Sequence, residues 1–506
     1  MNRFLVLLVS LSSILATADA RVTVAKVFGD HMVLQREMPV PIWGTADPGE
    51  SVTVQFRKQS KSAVTDEEGN WMVRLEALAL GEAAELIVSS SVNEVRFQDV
   101  LVGEVWIGSG QSNMAGAVRS YAKNDPVLSK AVADGPYPKI RGRNIQGWKM
   151  ADTDGISGFS AIHFSFGLNL HHELGVPIGL MLGAVGGTPS GLWLNEAMVE
   201  ADPALMAMLK KEGGYPDMAA LRAANESALA EWKIKADQQK AAGEKPSRFP
   251  GPIIPGGLYG RYIEYMVPYA IRGVLWDQGE SRTRIPGADQ YTVMHALISG
   301  WREVWGQGDF PFLHVQKPSG GFCAWNPDNP INRGALDFDP TLPDLSSGKP
   351  INLDYPIDHI KIGTLKNAPL VPISDMGVGV HPTNKSGYGQ RAAQVAMGTF
   401  YGSDVAVSGP VYRSHKIEGD SIRVSFDHVG SGLACRHADD VRGFAVAGAD
   451  GKWAWADAVI DGKTVVVSSP EVPQPTAVRY GFSKTAPYAN LFNQEELPTL
   501  MFSTSK

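Results

Sequence analysis

Cysteine is nearly absent: the 506-residue chain holds two, Cys323 and Cys435. Two cysteines so far apart are not a disulfide framework, so the fold has to rest on buried apolar surface. Neither stands beside a histidine in a way that marks a thiol nucleophile. Metal-ligand spacing is missing too, since no Cys, His or Asp cluster has the required pattern. His171 and His172 are adjacent on a helical stretch and therefore point in different directions. No metal or other cofactor is expected. Charge of one sign is also scarce. The net charge is −7, without a basic run or stripe. Phosphate binding needs clustered Lys and Arg, so nucleic acid is excluded as a partner. Beyond residue 20 no apolar run is long enough to span a bilayer, and no internal repeat is visible.

What remains is the composition of a globular protein, with charged residues at 20%. A prior of roughly 150 residues per domain gives about three domains. Residues 1–20 are a different material. Arg3 supplies positive charge, Phe4 to Leu15 is apolar, and Ala18-Asp19-Ala20 offers small residues for cleavage. This predicts a secretory leader and an exported protein, periplasmic or extracellular. The alternative, a membrane anchor, is disfavoured because the run is short.

Residues 21–102 read as β-structure. Ser51-Val-Thr-Val-Gln-Phe56 and Trp71-Met-Val-Arg-Leu75 alternate apolar and polar residues, and Asp47-Pro48-Gly49 and Glu67-Glu68-Gly69-Asn70 punctuate them. Residues 406–506 read likewise, with Ser421 to Phe426, Gly443 to Ala447 and Thr464 to Ser469 strand-like. Between them, residues 103–405 alternate strand and helix. Val105 to Gly108, Val176 to Gly183 and Ile271 to Trp276 are buried-strand candidates; Ala161 to Leu174, Tyr291 to Trp305 and Lys385 to Thr399 are helical. This predicts an α/β layer with a parallel sheet, whose ligands collect outside the carboxyl ends of the strands. Two stretches look like insertions: 200–252, a helical excursion, and 320–356, a long loop of the kind often found near active sites.

Four segments carry candidate chemistry. In Gly108-Ser-Gly-Gln-Ser-Asn-Met-Ala-Gly116, Ser112 follows a strand and a small-residue turn, and reads as a nucleophile or as a helix cap. This is not the G-x-S-x-G elbow. In Gly183-Ala-Val-Gly-Gly-Thr-Pro-Ser-Gly191, adjacent glycines let the backbone approach a ligand, or simply form a tight turn. In Trp276-Asp-Gln-Gly-Glu-Ser281, Gln278 could hold an oxyanion and Glu280 could orient a histidine, or the stretch is a polar loop. In Val380-His-Pro-Thr-Asn-Lys385, His381 suits general-base work near neutral pH, or is structural.

Together the four segments resemble the sialate O-acetylesterase family of SGNH, or GDSL-like, hydrolases. Its blocks appear here as Gly110 to Met114, Gly186 to Pro189, Trp276 to Ser281 and His381 to Lys385, in order. The flanks match as well, at Phe28 to Arg36, Pro39 to Gly44, Gly409 to Tyr412 and Pro475 to Tyr480. The resemblance implies a three-layer αβα domain with a parallel sheet, flanked by N-terminal and C-terminal β-sandwich-like regions. It implies an O-acetylated sugar or glycan as substrate, sialate first, with acetylxylan or another polysaccharide as the alternative. A catalytically dead carbohydrate-binding protein is the third reading. By the same resemblance Ser112 attacks the acetyl carbonyl and His381 is its base. The N–H groups of Ser112 and Gly187, with the Gln278 side chain, form the oxyanion hole. The chain departs from the family twice. Val378-Gly379-Val380 stands where an Asp often precedes the histidine, and Arg282 stands where Asn or Asp often follows the Gln-Gly-Glu-Ser block. The orienting acid is therefore Glu280, Asp375, or absent in favour of a Ser–His dyad. Oligomeric state is left open.

Overall fold

The structure, a computed structural model, describes residues 21–211, 218–247, 256–345 and 353–505. The expected leader and parts of both expected insertions lie outside the described residues. At the centre is a sheet in which Gly147–Ala151, Tyr137–Asn144, Ile178–Ala184, Glu94–Gly110, Gly273–Asp277, Phe312–Val315 and Leu370–Val371 lie side by side in that order. All run parallel except the edge strand Gly147–Ala151. Alternate side chains enter two different cores. Val105 and Ile107 join Leu297 and Trp301 of the helix Gln290–Trp305. Trp106 joins Phe166 of the helix Ala161–Leu174 and Ala392 of the helix Lys385–Phe400. Helices thus cover both faces, which is why these strands read as continuous apolar runs. The fold is α/β with mixed sheets.

The helix Ala161–Leu174 shows why the boundaries fall where they do. The Ser160 hydroxyl accepts from His163 N at one end, and Gly175 at φ 67° closes the other. Strand Glu94–Gly110 is the longest described, at 17 residues. Its first half pairs with Ala84–Ser89 of the N-terminal β-structure, and its second half is the middle of the central sheet. One strand therefore crosses the point, at residues 102 and 103, where the composition changes. The N-terminal core is continuous with one face of the central sheet. At the crossing, the buried Glu104 carboxylate accepts from Arg36 Nε at 2.5 Å, Arg272 Nε at 2.7 Å and the Tyr401 hydroxyl at 2.9 Å.

At the C-terminal end, one sheet holds Val411–Glu418, Ser421–Asp427, Thr464–Ser468 and Asp457–Asp461. A second holds Trp453–Trp455, Phe444–Ala447, Ala477–Tyr480 and Phe502–Ser503. They share a core of Ile422, Val424, Val465, Phe444, Val446 and Tyr480, with Phe322 reaching in from the long loop. Residues 200–252 hold the helices Pro203–Lys211 and Met218–Ala241. Both cysteines are free. Among the described residues no helix is long and apolar enough to cross a membrane.

Candidate active site

Strand Glu94–Gly110 has Ile178–Ala184 on one side and Gly273–Asp277 on the other. The loops that follow these three strands diverge at their shared carboxyl edge, where open α/β sheets leave a crevice for ligands. Three of the four sequence blocks are those loops. The fourth follows Leu370–Val371 on the same edge.

The turn that carries Ser112 is forced by close backbone approach. Gly110 adopts φ 121°, and a Cβ there would lie 2.1 Å from the Asp277 carbonyl oxygen, so only glycine fits. Gln111 N then donates to that same carbonyl at 2.8 Å. The short helix Ser112–Ala115 starts at once. Its cap is Gln111, without a side-chain capping bond, so Ser112 is the first helical residue and not a cap. Its Oγ instead meets His381 Nε2 at 2.8 Å. The second block packs alongside. Val185 N donates to Gly110 O at 3.1 Å, and a Cβ on Gly186 would lie 3.5 Å from Ser112 Cβ. Gly187 turns at φ 72° with open space where a side chain would be.

Asn113 ties the Ser112 turn to the histidine loop. Its Nδ2 donates to the Val380 carbonyl at 3.0 Å, and its Oδ1 accepts from Lys385 Nζ. One buried carboxamide therefore grips both flanks of the loop that carries His381. From outside, Asn384 Nδ2 donates to Ile331 O at 2.7 Å and Arg333 O at 3.0 Å. The 320–356 loop thus supports the histidine loop.

The expected acids are placed elsewhere. Glu280 Oε1 accepts from Asn113 Nδ2 at 3.0 Å and pairs with Lys317 Nζ at 2.8 Å. Asp375 is fully buried, 2.9 Å from Arg391 Nη2, and its carboxylate also accepts from Asn332 Nδ2 at 2.5 Å. Among the described residues no carboxylate lies within ion-pair distance of the His381 ring, whose hydrogen bond is the one to Ser112. Both candidate carboxylates are drawn to buried cations instead, because an unpaired charge in the interior costs more than a histidine bond returns. Gln278 also departs from expectation. Its Nε2 donates to Thr188 O at 3.3 Å and Arg282 O at 3.0 Å, while its Oε1 accepts from Gln290 Nε2 at 3.1 Å. Both amide hydrogens are spent on carbonyls, so the side chain braces the Gly186–Gly187 turn and presents no donor to a ligand.

Two lysines complete the site and were given no role from the sequence. Lys317 is 1% exposed and lies 2.7 Å from Asp277 and 2.8 Å from Glu280. Burial favours its neutral amine, but the two carboxylates outweigh that and keep it charged. Among the described residues no carboxylate lies within ion-pair distance of Lys385; its Nζ lies 4.6 Å from the centre of the Tyr121 ring. Burial pushes its amine down to about 7, against the pull of Asp277. Lys385 and Asn113 both sit inside the quoted blocks, which was the available signal. Lys317 belongs to none.

A serine hydroxyl bonded to an imidazole, at a turn with an open glycine loop beside it, is the arrangement of a serine hydrolase. No protein-family model matches the chain. Among curated proteins it is similar to the sialate O-acetylesterase of Rattus norvegicus, at 28% identity over 58% of this chain and 60% of the relative. That of Homo sapiens is 26% identical over 58% of this chain and 57% of the relative. The matches thus span 57–60% of the length of these relatives. Among solved structures it is similar to a carbohydrate acetylesterase from Xanthomonas citri. The TM-score is 0.73 and the identity 28%, covering 96% of this chain and 100% of that one. The homologues named sialate O-acetylesterase agree with the family that the four blocks resemble.

Proposed function

We propose that this chain is a serine esterase that removes O-acetyl groups from carbohydrate through an acetyl-enzyme on Ser112. The observation that carries the reading is the 2.8 Å bond between Ser112 Oγ and His381 Nε2, at the carboxyl edge of a parallel sheet. His381 takes the hydroxyl proton as Oγ attacks the acetyl carbonyl, then returns it to the departing sugar oxygen. Water, deprotonated by the same ring, releases acetate. The oxyanion is met by the main-chain N–H groups of Ser112 and Gly187, the latter on a turn with open space beside it. Among the described residues no acid reaches the ring, and on this reading the catalytic unit is a Ser–His dyad, held in register by Asn113.

The names of the relatives make a sialate ester the leading substrate and a neutral polysaccharide ester such as acetylxylan the alternative. On this reading the central sheet with its helices is the three-layer αβα domain of SGNH hydrolases, about 103–405. The N-terminal and C-terminal β-sandwich-like regions flank it, and residues 1–20 export the chain. The test is acetate release from O-acetylated sialosides, xylan and other acetylated glycans by the wild-type protein and by Ser112→Ala. Acetate from at least one glycan, abolished by Ser112→Ala, is expected. Hydrolysis of aryl acetates alone contradicts the carbohydrate assignment.

A further inference from the structure

The strands Glu94–Gly110, Ile178–Ala184, Gly273–Asp277 and Leu370–Val371 are each followed by one of the sequence blocks. Phe312–Val315 is not, although it lies between Gly273–Asp277, which leads to Glu280, and Leu370–Val371, which leads to His381. What leaves its carboxyl end is Gln316 and then Lys317. Gln316 is tied to the chain beside it: its N donates to Val371 O at 3.0 Å, and its Oε1 accepts from Ile373 N at 2.9 Å. Lys317 therefore starts from a fixed point at the edge where Ser112 and His381 meet. It is 1% exposed, so it cannot touch a substrate. Its Nζ lies 2.7 Å from Asp277 Oδ1 and 2.8 Å from Glu280 Oε1, and donates to Ser319 Oγ at 3.5 Å.

The two carboxylates lead to the two halves of the dyad. Asp277 accepts from Gln111 N at its carbonyl, at 2.8 Å, and Gln111 precedes Ser112. Glu280 Oε1 also accepts from Asn113 Nδ2 at 3.0 Å, and that same Nδ2 donates to Val380 O at 3.0 Å, one residue before His381. No step in this path from Lys317 to the imidazole loop exceeds 3.0 Å. Among the described residues no other cation lies within ion-pair distance of Asp277 or Glu280. Lys385, the other buried ammonium, bonds to Asn113 Oδ1 instead. Removing the Lys317 charge would leave two buried carboxylates facing each other, and like charges so close repel. Asp277 is sealed in, whereas the Glu280 side chain is 18% exposed and has a way to water. Its departure would take the acceptor away from Asn113.

We propose that Lys317 is a positioning residue for the Ser112–His381 pair, one sealed cation that holds Asp277 under the serine turn and Glu280 against the asparagine that grips the histidine loop. The inference rests on the esterase reading above and deepens it. The test is a double-mutant cycle in steady-state hydrolysis of an aryl acetate by the full chain, with Lys317→Met, Asn113→Ala and the two together. A lysine that only supports the fold lowers the folded fraction and not the turnover of each folded molecule. Turnover is therefore referred to the folded fraction, read by chemical denaturation. Lys317→Met is expected to lower kcat about 10²-fold, as a misplacement of about 1 Å does, with KM within about twofold of wild type. Added to Asn113→Ala, it is expected to cost less than about tenfold more, because it acts through that residue. A kcat within about threefold of wild type, a loss carried by KM, or a further loss of about tenfold or more on top of Asn113→Ala overturns the proposal. Where Lys317→Met alone does not fold, Lys317→Met with Asp277→Asn and Glu280→Gln strands no charge and takes its place in the cycle. There kcat is expected to fall at least about tenfold at unchanged KM, and again by less on top of Asn113→Ala. Failure of both to fold makes the lysine a requirement of the fold and overturns its role in positioning. Ser112→Ala separates the two readings. Hydrolysis that depends on Ser112 and is indifferent to Lys317 removes this role alone; no hydrolysis, or hydrolysis that survives Ser112→Ala, removes the esterase reading and this role with it.

Discussion

The Asn113 carboxamide donates to the main-chain carbonyl of Val380 at 3.0 Å, one residue before His381. The same side chain accepts from Lys385, which opens the following helix. The Ser112 turn and the His381 loop are thus kept in register by the residue next to Ser112, and among the described residues not by a carboxylate at the imidazole.

This sets the expectation for Asn113→Ala. Freeing the histidine loop by about 1 Å should lower kcat about 10²-fold, with KM nearly unchanged. Steady-state kinetics on an aryl acetate reads both constants. A kcat within about threefold of wild type would show that the loop is fixed without this clamp.

Glu280 acts through Asn113 and Lys317, so Glu280→Gln should lose far less than the roughly 10⁴-fold seen when an acid that orients a catalytic histidine is disabled. The pH at which kcat/KM rises should stay where it is, because the His381 ring keeps its surroundings. Stability should fall by about 2 kcal/mol, from weakening a charged hydrogen bond in the interior. A 10⁴-fold loss, together with a displaced pH profile, would restore Glu280 as the acid.

Gln278→Ala separates brace from oxyanion donor. A direct donor is worth about 10²–10³ in kcat at unchanged stability. A brace loses about 1–3 kcal/mol of stability by stranding buried carbonyls, with a smaller effect on kcat. Chemical denaturation and turnover, measured on one preparation, decide between them.

How much of this was legible in the sequence follows from how local each feature is. The blocks around Ser112, Gly187, Gln278 and His381 were readable because each is a short turn after a strand, and turn chemistry is written in neighbouring residues. The direction of the Glu280 carboxylate was not, since its cation, Lys317, lies in no recognisable block and meets it only across the sheet edge. The long strand Glu94–Gly110 was read only in part because its burial changes midway, from alternating before Val100 to continuous after it. The edge hairpin Tyr137–Asn144 and Gly147–Ala151 was missed because Arg141 and Arg143 look like surface residues. Both are 3% exposed, and main-chain carbonyls take up Arg143 while Asp99 faces Arg141 at 2.8 Å.

Lys385 gives a pH signature. Folding lowers its amine from 10.5 to about 7, so between those values the unfolded chain binds one proton more than the folded one. Stability from this group therefore rises with pH across that window, by up to about 1.4 kcal/mol per unit. The cost of burying it is fully present below about 7 and is relieved toward 10.5. Lys385→Met should lack this rise. The difference between wild-type and variant unfolding free energies, followed from neutral to alkaline pH, should slope accordingly. Parallel curves would mean that Lys385 stays charged throughout.

The kinetic expectations depend on Ser112 being the group that attacks. Reaction with a fluorophosphonate, followed by intact mass and peptide mapping, reads this without any assumption about the sugar. A single adduct on Ser112 is expected, absent in Ser112→Ala and slowed strongly in His381→Ala. An adduct on another serine, or undiminished ester hydrolysis by Ser112→Ala, would contradict it.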